Sequence, residues 1–173
     1  MRRIIILLSV VVVITGCTST LPPQFSIDKD FNTTGVKSLS VKMDCDDVKI
    51  DGIDPVLVPA FCHMLHTTAI SSIKRKTGYK ILEGSSDIDV ILKIEEISAS
   101  SPFWVNMGAG RSVLTVSTEI VKGGKVIAKK RMVEINAIPN ISENAWSNEE
   151  MISEYIGNLG GRISDFIAYT KDN

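Results

Sequence analysis

GRSVLTVSTEIVKGGKVIAKKRMVEINA, residues 110–137, decides the fold. Val113, Thr115, Ser117 and Glu119 alternate with Leu114, Val116, Thr118 and Ile120, the period of a strand with one face buried. Lys122-Gly123-Gly124-Lys125 interrupts the pattern, and a second run follows from Val126 to Ala137. Two alternating runs joined by a glycine pair predict a β-hairpin.

Upstream, Asp87 to Ile97 predicts a longer strand, with Ile88, Val90, Leu92, Ile94 and Ile97 mostly alternating. Tyr79 to Leu82 predicts a short strand. Val36 to Met43 predicts another, with Val48 to Ile50 as an extension. Between them, Phe61, Leu65, Ala69 and Ile73 recur at helical spacing within residues 55–76. Pro59 suits a first helical turn and moves the start toward Val58. Lys74, Arg75 and Lys76 fill the last turn, where cations suit the helix dipole, and Gly78 stops it. Downstream, Ser147 and Glu150 form a capping box, with Trp146 positioned to staple to Met151. Ile152, Tyr155, Ile156, Leu159, Ile163, Phe166 and Ile167 then lay down an apolar stripe. Gly157, Gly160 and Gly161 inside it are expected to mark close packing against the sheet. The order implies an α+β domain: an antiparallel sheet of about four to five strands, with two long helices on one face.

The N-terminus carries an address. Arg2 and Arg3 precede apolar runs from Ile4 to Leu8 and Val10 to Ile14, and Ile14-Thr15-Gly16-Cys17 closes them. A basic start, a short apolar core and small residues form a secretory signal. The run is shorter than the ~20 residues a membrane-spanning helix needs. The four residues resemble the lipobox of bacterial lipoproteins. That resemblance implies a signal peptide over 1–16, cleavage before Cys17, and lipidation of Cys17 with fatty acyl chains such as palmitate. By resemblance to the sorting rule of Gram-negative lipoproteins, Thr18 rather than Asp after the cysteine implies export to the outer membrane, facing the periplasm. Residues 17–35, with Pro22-Pro23, read as a lipidated tether able to reach ~60 Å when extended. Residues 36–173 then form one periplasmic domain.

The chain has 19 basic and 20 acidic residues; without residues 1–16 the balance is 17 against 20, a net of −3. A mildly acidic surface argues against nucleic acid as a partner. The membrane contact is expected through the lipid. Of three cysteines, Cys45 and Cys62 remain after Cys17, and an isolated pair in an oxidising compartment is expected as a disulfide.

Four local patterns suggest chemistry, and each has a blander reading that fits better. Cys62-His63-Met64-Leu65-His66 has soft-metal ligand types, but on a helix they diverge, and no second cluster completes a site. Asp44, Asp46, Asp47, Asp51 and Asp54 lack the glycine register and terminal Glu of a calcium loop. Gly108-Ala109-Gly110-Arg111-Ser112 lacks the lysine and following helix of a phosphate loop. No Gly-x-Ser-x-Gly elbow accompanies the two histidines. No catalytic residues, metal or cofactor are expected, and the chain is not read as an enzyme. Phe103, Trp104 and Met107, between two strands, are the candidate partner-binding residues, or else cap the core.

Asp89-Val90-Ile91-Leu92-Lys93-Ile94, Met107-Gly108-Ala109-Gly110-Arg111-Ser112 and Ile120–Ala128 resemble a domain-of-unknown-function family of uncharacterised bacterial envelope lipoproteins with a Gly-Ala-Gly strand entry. The resemblance covers about two-thirds of the mature chain and implies an α/β domain with no established activity. The cysteine pair is not part of it. The combined reading is a lipid-anchored binding or assembly module, an accessory to an envelope protein complex. The alternative is a carrier or sensor of a small apolar ligand held between sheet and helices.

Overall fold

The computed structural model describes residues 25–28, 31–100, 110–138 and 149–172. Seven strands form one sheet: β1 (Phe25–Ile27), β2 (Ser38–Asp44), β3 (Lys49–Asp51), β4 (Lys80–Ile81), β5 (Ile88–Ser100), β6 (Gly110–Lys122) and β7 (Lys125–Ile138). Their order is β1-β7-β6-β5-β2-β4, with β3 pairing β5 on the side that β2 occupies further up. Helices α1 (Val58–Thr77) and α2 (Glu149–Asp172) pack against each other over one face.

The expected hairpin is present. β6 and β7 pair antiparallel from Gly110↔Ile138 to Lys122↔Lys125, and Gly123 and Gly124 both take positive φ in the turn. β5 pairs antiparallel with β6. Elsewhere the sheet departs from expectation: it is mixed and larger than four to five strands. β2 runs parallel to β4 and β5, and β3 runs parallel to β5. The cause is α1. A chain that leaves β2 and returns through a helix re-enters the sheet in the direction it started. α1 itself ends as expected, with Lys74, Arg75 and Lys76 in its last turn and Gly78 in the left-handed conformation beyond it. A single-turn helix over Pro55–Leu57 precedes it, capped by the Asp54 carboxylate on the Val56 N–H.

β2 and β3 form one interrupted line along β5. β5 shifts register between Ile94 and Glu96, opposite the break in that line. Cys45 sits in the break and is bonded to Cys62 of α1, with Cα atoms 6.5 Å apart. The disulfide expected from the compartment is therefore present, and it ties the sheet to the helical layer.

The core lies between the layers. Leu39, Leu65, Ile73, Leu92, Ile94, Leu114, Ile120, Met132, Ile156, Leu159 and Phe166 are all essentially sealed from solvent. The other sheet face carries cross-strand charges: Lys42–Asp89, Lys93–Asp44, Arg131–Glu95 and Lys129–Glu119. Exposed pairs like these each contribute about 0–1 kcal/mol. Thr115 and Ser117 of β6 are also buried.

Two expectations shift. Gly160 does mark a close approach, but to α1: a Cβ there would lie 2.8 Å from the Thr68 methyl, while Gly157 and Gly161 have nothing within 4 Å. Part of the stretch read as tether is built into the domain. β1 pairs with the outer edge of β7, Phe31 packs against the core, and the Thr33 hydroxyl donates to the Thr170 carbonyl at 3.0 Å. Ser147 and Trp146, expected at the start of α2, lie outside the described residues.

Candidate functional site

Among the described residues a polar crevice lies at the β2 edge. β2 is seven residues long, but β4 covers only Ser38 and Leu39. The main chain after β4 makes one further bond, Leu82 N–H to Leu39 O at 2.9 Å, and then turns away. What remains is a crevice of about 570 Å³ between β2, α1 and the loop at 82–86.

Five of the polar side chains lining it, Ser40, Lys42, His66, Ser86 and Asp89, have assigned partners. On α1, His66 is one turn from the disulfide cysteine, and its Nε2 lies 3.0 Å from the Val41 carbonyl. A carbonyl can only accept, so Nε2 carries the proton. Asp89 of β5 accepts from Ser40 Oγ at 2.5 Å, Ser86 Oγ at 3.1 Å and Lys42 Nζ at 2.6 Å. These contacts, led by the Lys42 hydrogen bond, hold the Asp89 carboxyl below its usual range. Nearby, Asp87 accepts from the Lys37 and Ser38 N–H groups, which lower its pKa too. Asp89 is thus an ionised acceptor with its lone pairs engaged, and His66 is fixed on backbone. The crevice is suited to receiving a ligand or chain segment along a strand edge, and less to moving protons.

A second, apolar groove of about 490 Å³ lies at the opposite edge, lined by Phe25, Lys130, Asp165, Phe166 and Tyr169. Phe25 meets Phe166 and Tyr169 edge-on, with centroids 5.7 and 6.1 Å away.

The residues singled out from sequence are placed unevenly. Cys45 and Cys62 are joined, so neither is available as a thiolate ligand. Asp44 is committed to Lys93 and to the Asp46 N–H. Among the described residues no group of three His, Cys, Asp or Glu is arranged to hold a metal ion. Cys17 and the trio Phe103, Trp104 and Met107 lie outside the described residues. Sequence reasoning missed both grooves. The alternation of Ser40 and Lys42 opposite Asp89 was a usable signal for the first, given the strand pairing. The second depends on β1, which has no sequence period.

No family model and no curated protein matches the chain. Solved structures do share its fold. One is a Xanthomonas campestris protein assigned to the family DUF330: 9% identity, 85% of this chain and 91% of that one covered, TM-score 0.57. Another is a minor lipoprotein from Acinetobacter baumannii: 13% identity, 79% and 95% covered, TM-score 0.52. A third is a Helicobacter pylori protein described as a neuraminyllactose-binding hemagglutinin homolog: 10% identity, 85% and 89% covered, TM-score 0.53. At these identities the likeness is one of fold: a mixed sheet and two helices that bacterial lipoproteins also use.

Proposed function

We propose that this chain is a lipid-anchored binding or assembly module of the bacterial cell envelope, held on the outer membrane through Cys17 and facing the periplasm. It is read as an accessory component of an envelope protein complex and not as an enzyme. The observation that carries this reading is the placement of the two sheet edges. The strand nearest the lipobox, β1, is one edge of the sheet, and the crevice at β2 is near the other. Five strand spacings of ~4.8 Å separate the outermost strands, about 24 Å. Anchoring at β1 leaves the far edge free to meet a partner. The lipoprotein among the fold neighbours adds support for an envelope setting. Phe103, Trp104 and Met107 remain the second proposed contact.

The apolar-ligand alternative has less support. The space between sheet and helices, where such a ligand would sit, is filled by side chains sealed from solvent.

The test is site-specific photo-crosslinking in intact cells, with the reactive group at Glu83 beside the crevice or at Phe103. The native chain is compared with a Cys17→Ser form carrying an ordinary cleavable signal. One stoichiometric partner, trapped from both positions and only when the protein is anchored, is the expected result. A folded, membrane-bound protein that traps nothing from either position overturns the assembly reading. Saturable thermal stabilisation by envelope lipids or peptidoglycan fragments would then favour a ligand carrier.

A further inference from the structure

The apolar groove at the β1 edge has a feature that the assembly reading does not use: its position on the chain. Phe25 is 43% exposed and Tyr169 52% exposed, and together with buried Phe166 they form one aromatic surface. Lys130 lies over the Phe166 ring, 5.7 Å from its centroid. Asp165, on the groove's rim, is paired with Lys76 of α1, so the cation that remains over the rings is Lys130. An exposed aromatic surface of this kind marks an interaction site.

Eight residue steps separate Cys17 from Phe25, a reach of about 29 Å at most. We propose that this groove docks on the bilayer that holds the Cys17 lipid, with Phe25 and Tyr169 at headgroup depth and Lys130 facing lipid phosphates. This deepens the lipid-anchor reading and rests on it. Tyrosine is enriched at this depth because its ring is apolar and its hydroxyl stays wet. A lysine stem runs along apolar surface while its ammonium reaches outward. Burial, helped by the Arg162 charge, lowers the Lys130 pKa from its ordinary value. An anion above the groove would favour the charged form. Docking adds a second, weaker membrane contact to the covalent one and fixes which edge of the sheet points away. A domain docked in this way is oriented, whereas one on a long tether is not.

The test uses the full-length lipidated protein in vesicles of phosphatidylethanolamine and phosphatidylglycerol. Asp165→Cys on the groove and Glu83→Cys on the far edge each carry an environment-sensitive fluorophore. The introduced thiol is the only free one, because Cys45 and Cys62 are bonded and Cys17 is acylated in this reading. Phospholipids with a nitroxide high on the acyl chain serve as quenchers. Quenching several-fold stronger at position 165 than at 83 is expected. Phe25→Ser and, separately, Tyr169→Ser should each reduce it while the circular dichroism spectrum holds. Equal, weak quenching at both positions on vesicles that carry the protein overturns docking and leaves the anchor standing. A protein that fails to float with vesicles overturns the anchor itself, and this proposal with it. A blue shift that grows with protein concentration in the absence of vesicles assigns the groove to a second copy and overturns membrane docking.

Discussion

The two edges of this sheet are built by different means. At the β1 edge a three-residue strand covers Ala128 to Lys130 of the 14-residue β7, and aromatic contacts from Phe25 to α2 hold it there. At the β2 edge a two-residue strand covers less than a third of its neighbour, and the remainder is secured from α1. His66 reaches the Val41 carbonyl, and the Cys45–Cys62 bond ties down the end of the strand. An edge strand presents unpaired backbone groups, and proteins that remain monomeric cover or interrupt them. Beyond its short strand each edge is held by a helix side chain, Arg162 on the Val133 carbonyl at β7 and His66 on the Val41 carbonyl at β2; what differs is the fastening, aromatic at the β1 edge and covalent at the β2 edge. The recess left beyond β4 is the crevice.

The largest expected effect tests the covalent half of this comparison. The cysteines are 17 positions apart, and a loop of that size contributes about 3 kcal/mol on the chain-entropy account. Replacing both by serine should lower unfolding free energy by about that amount in urea titration. It should also speed amide exchange in residues 41–50 more than in β1. Equal acceleration at both edges would mean that the bond stabilises the domain as a whole and not the β2 edge in particular.

Phe25→Ala addresses the other edge. It removes two edge-to-face ring contacts and a half-exposed apolar surface, a loss of about 1–2 kcal/mol. The β1 amides should lose exchange protection while the Val41 region keeps its own. Loss of protection at both edges would show that the edges are coupled through the core. His66→Ala should cost less, about 1 kcal/mol, and should release β2 beyond Leu39 without disturbing β1. Amide exchange resolved by NMR checks both variants.

The contrast between the edges also explains what could be read in advance. The hairpin, β5 and α2 were legible because each is long and follows its period, and the stripe from Tyr155 to Ile167 maps directly onto the buried face. The direction of β2 was not legible. Alternation reports which face a residue occupies and carries no information about whether neighbouring strands are parallel. β1 escaped because three residues cannot express a period, and its place is fixed by an unpaired β7 edge supplied 100 residues later. The disulfide was legible from compartment alone, without geometry. The crevice was invisible for a different reason: it exists because β4 ends after two residues, and an early end leaves no mark in composition. Its residues are ordinary in sequence and become a cluster only when Ser40 is placed opposite Asp89.

That pairing supplies the smallest and most specific prediction. Asp89 is held ionised first by Lys42, then by Ser40, with Ser86 adding a weaker contact. Its folded pKa lies below the unfolded value of about 3.9. A depressed carboxylate pKa stabilises the fold at pH above the unfolded value, and that contribution is lost as pH falls through the folded one. Asp89→Asn keeps the shape and removes the charge. At neutral pH it should cost about 1 kcal/mol, since the carboxylate is partly exposed and its Lys42 pair is screened. The gap between native and variant should narrow as pH drops below about 4. Asp87 titrates in the same direction, because the Lys37 and Ser38 N–H groups bind its ionised form, so part of the acid sensitivity survives in the variant. Urea midpoints measured from neutral to acid pH separate the two contributions. A gap that stays constant with pH would mean that the crevice is held by the shape of residue 89 and not by its charge.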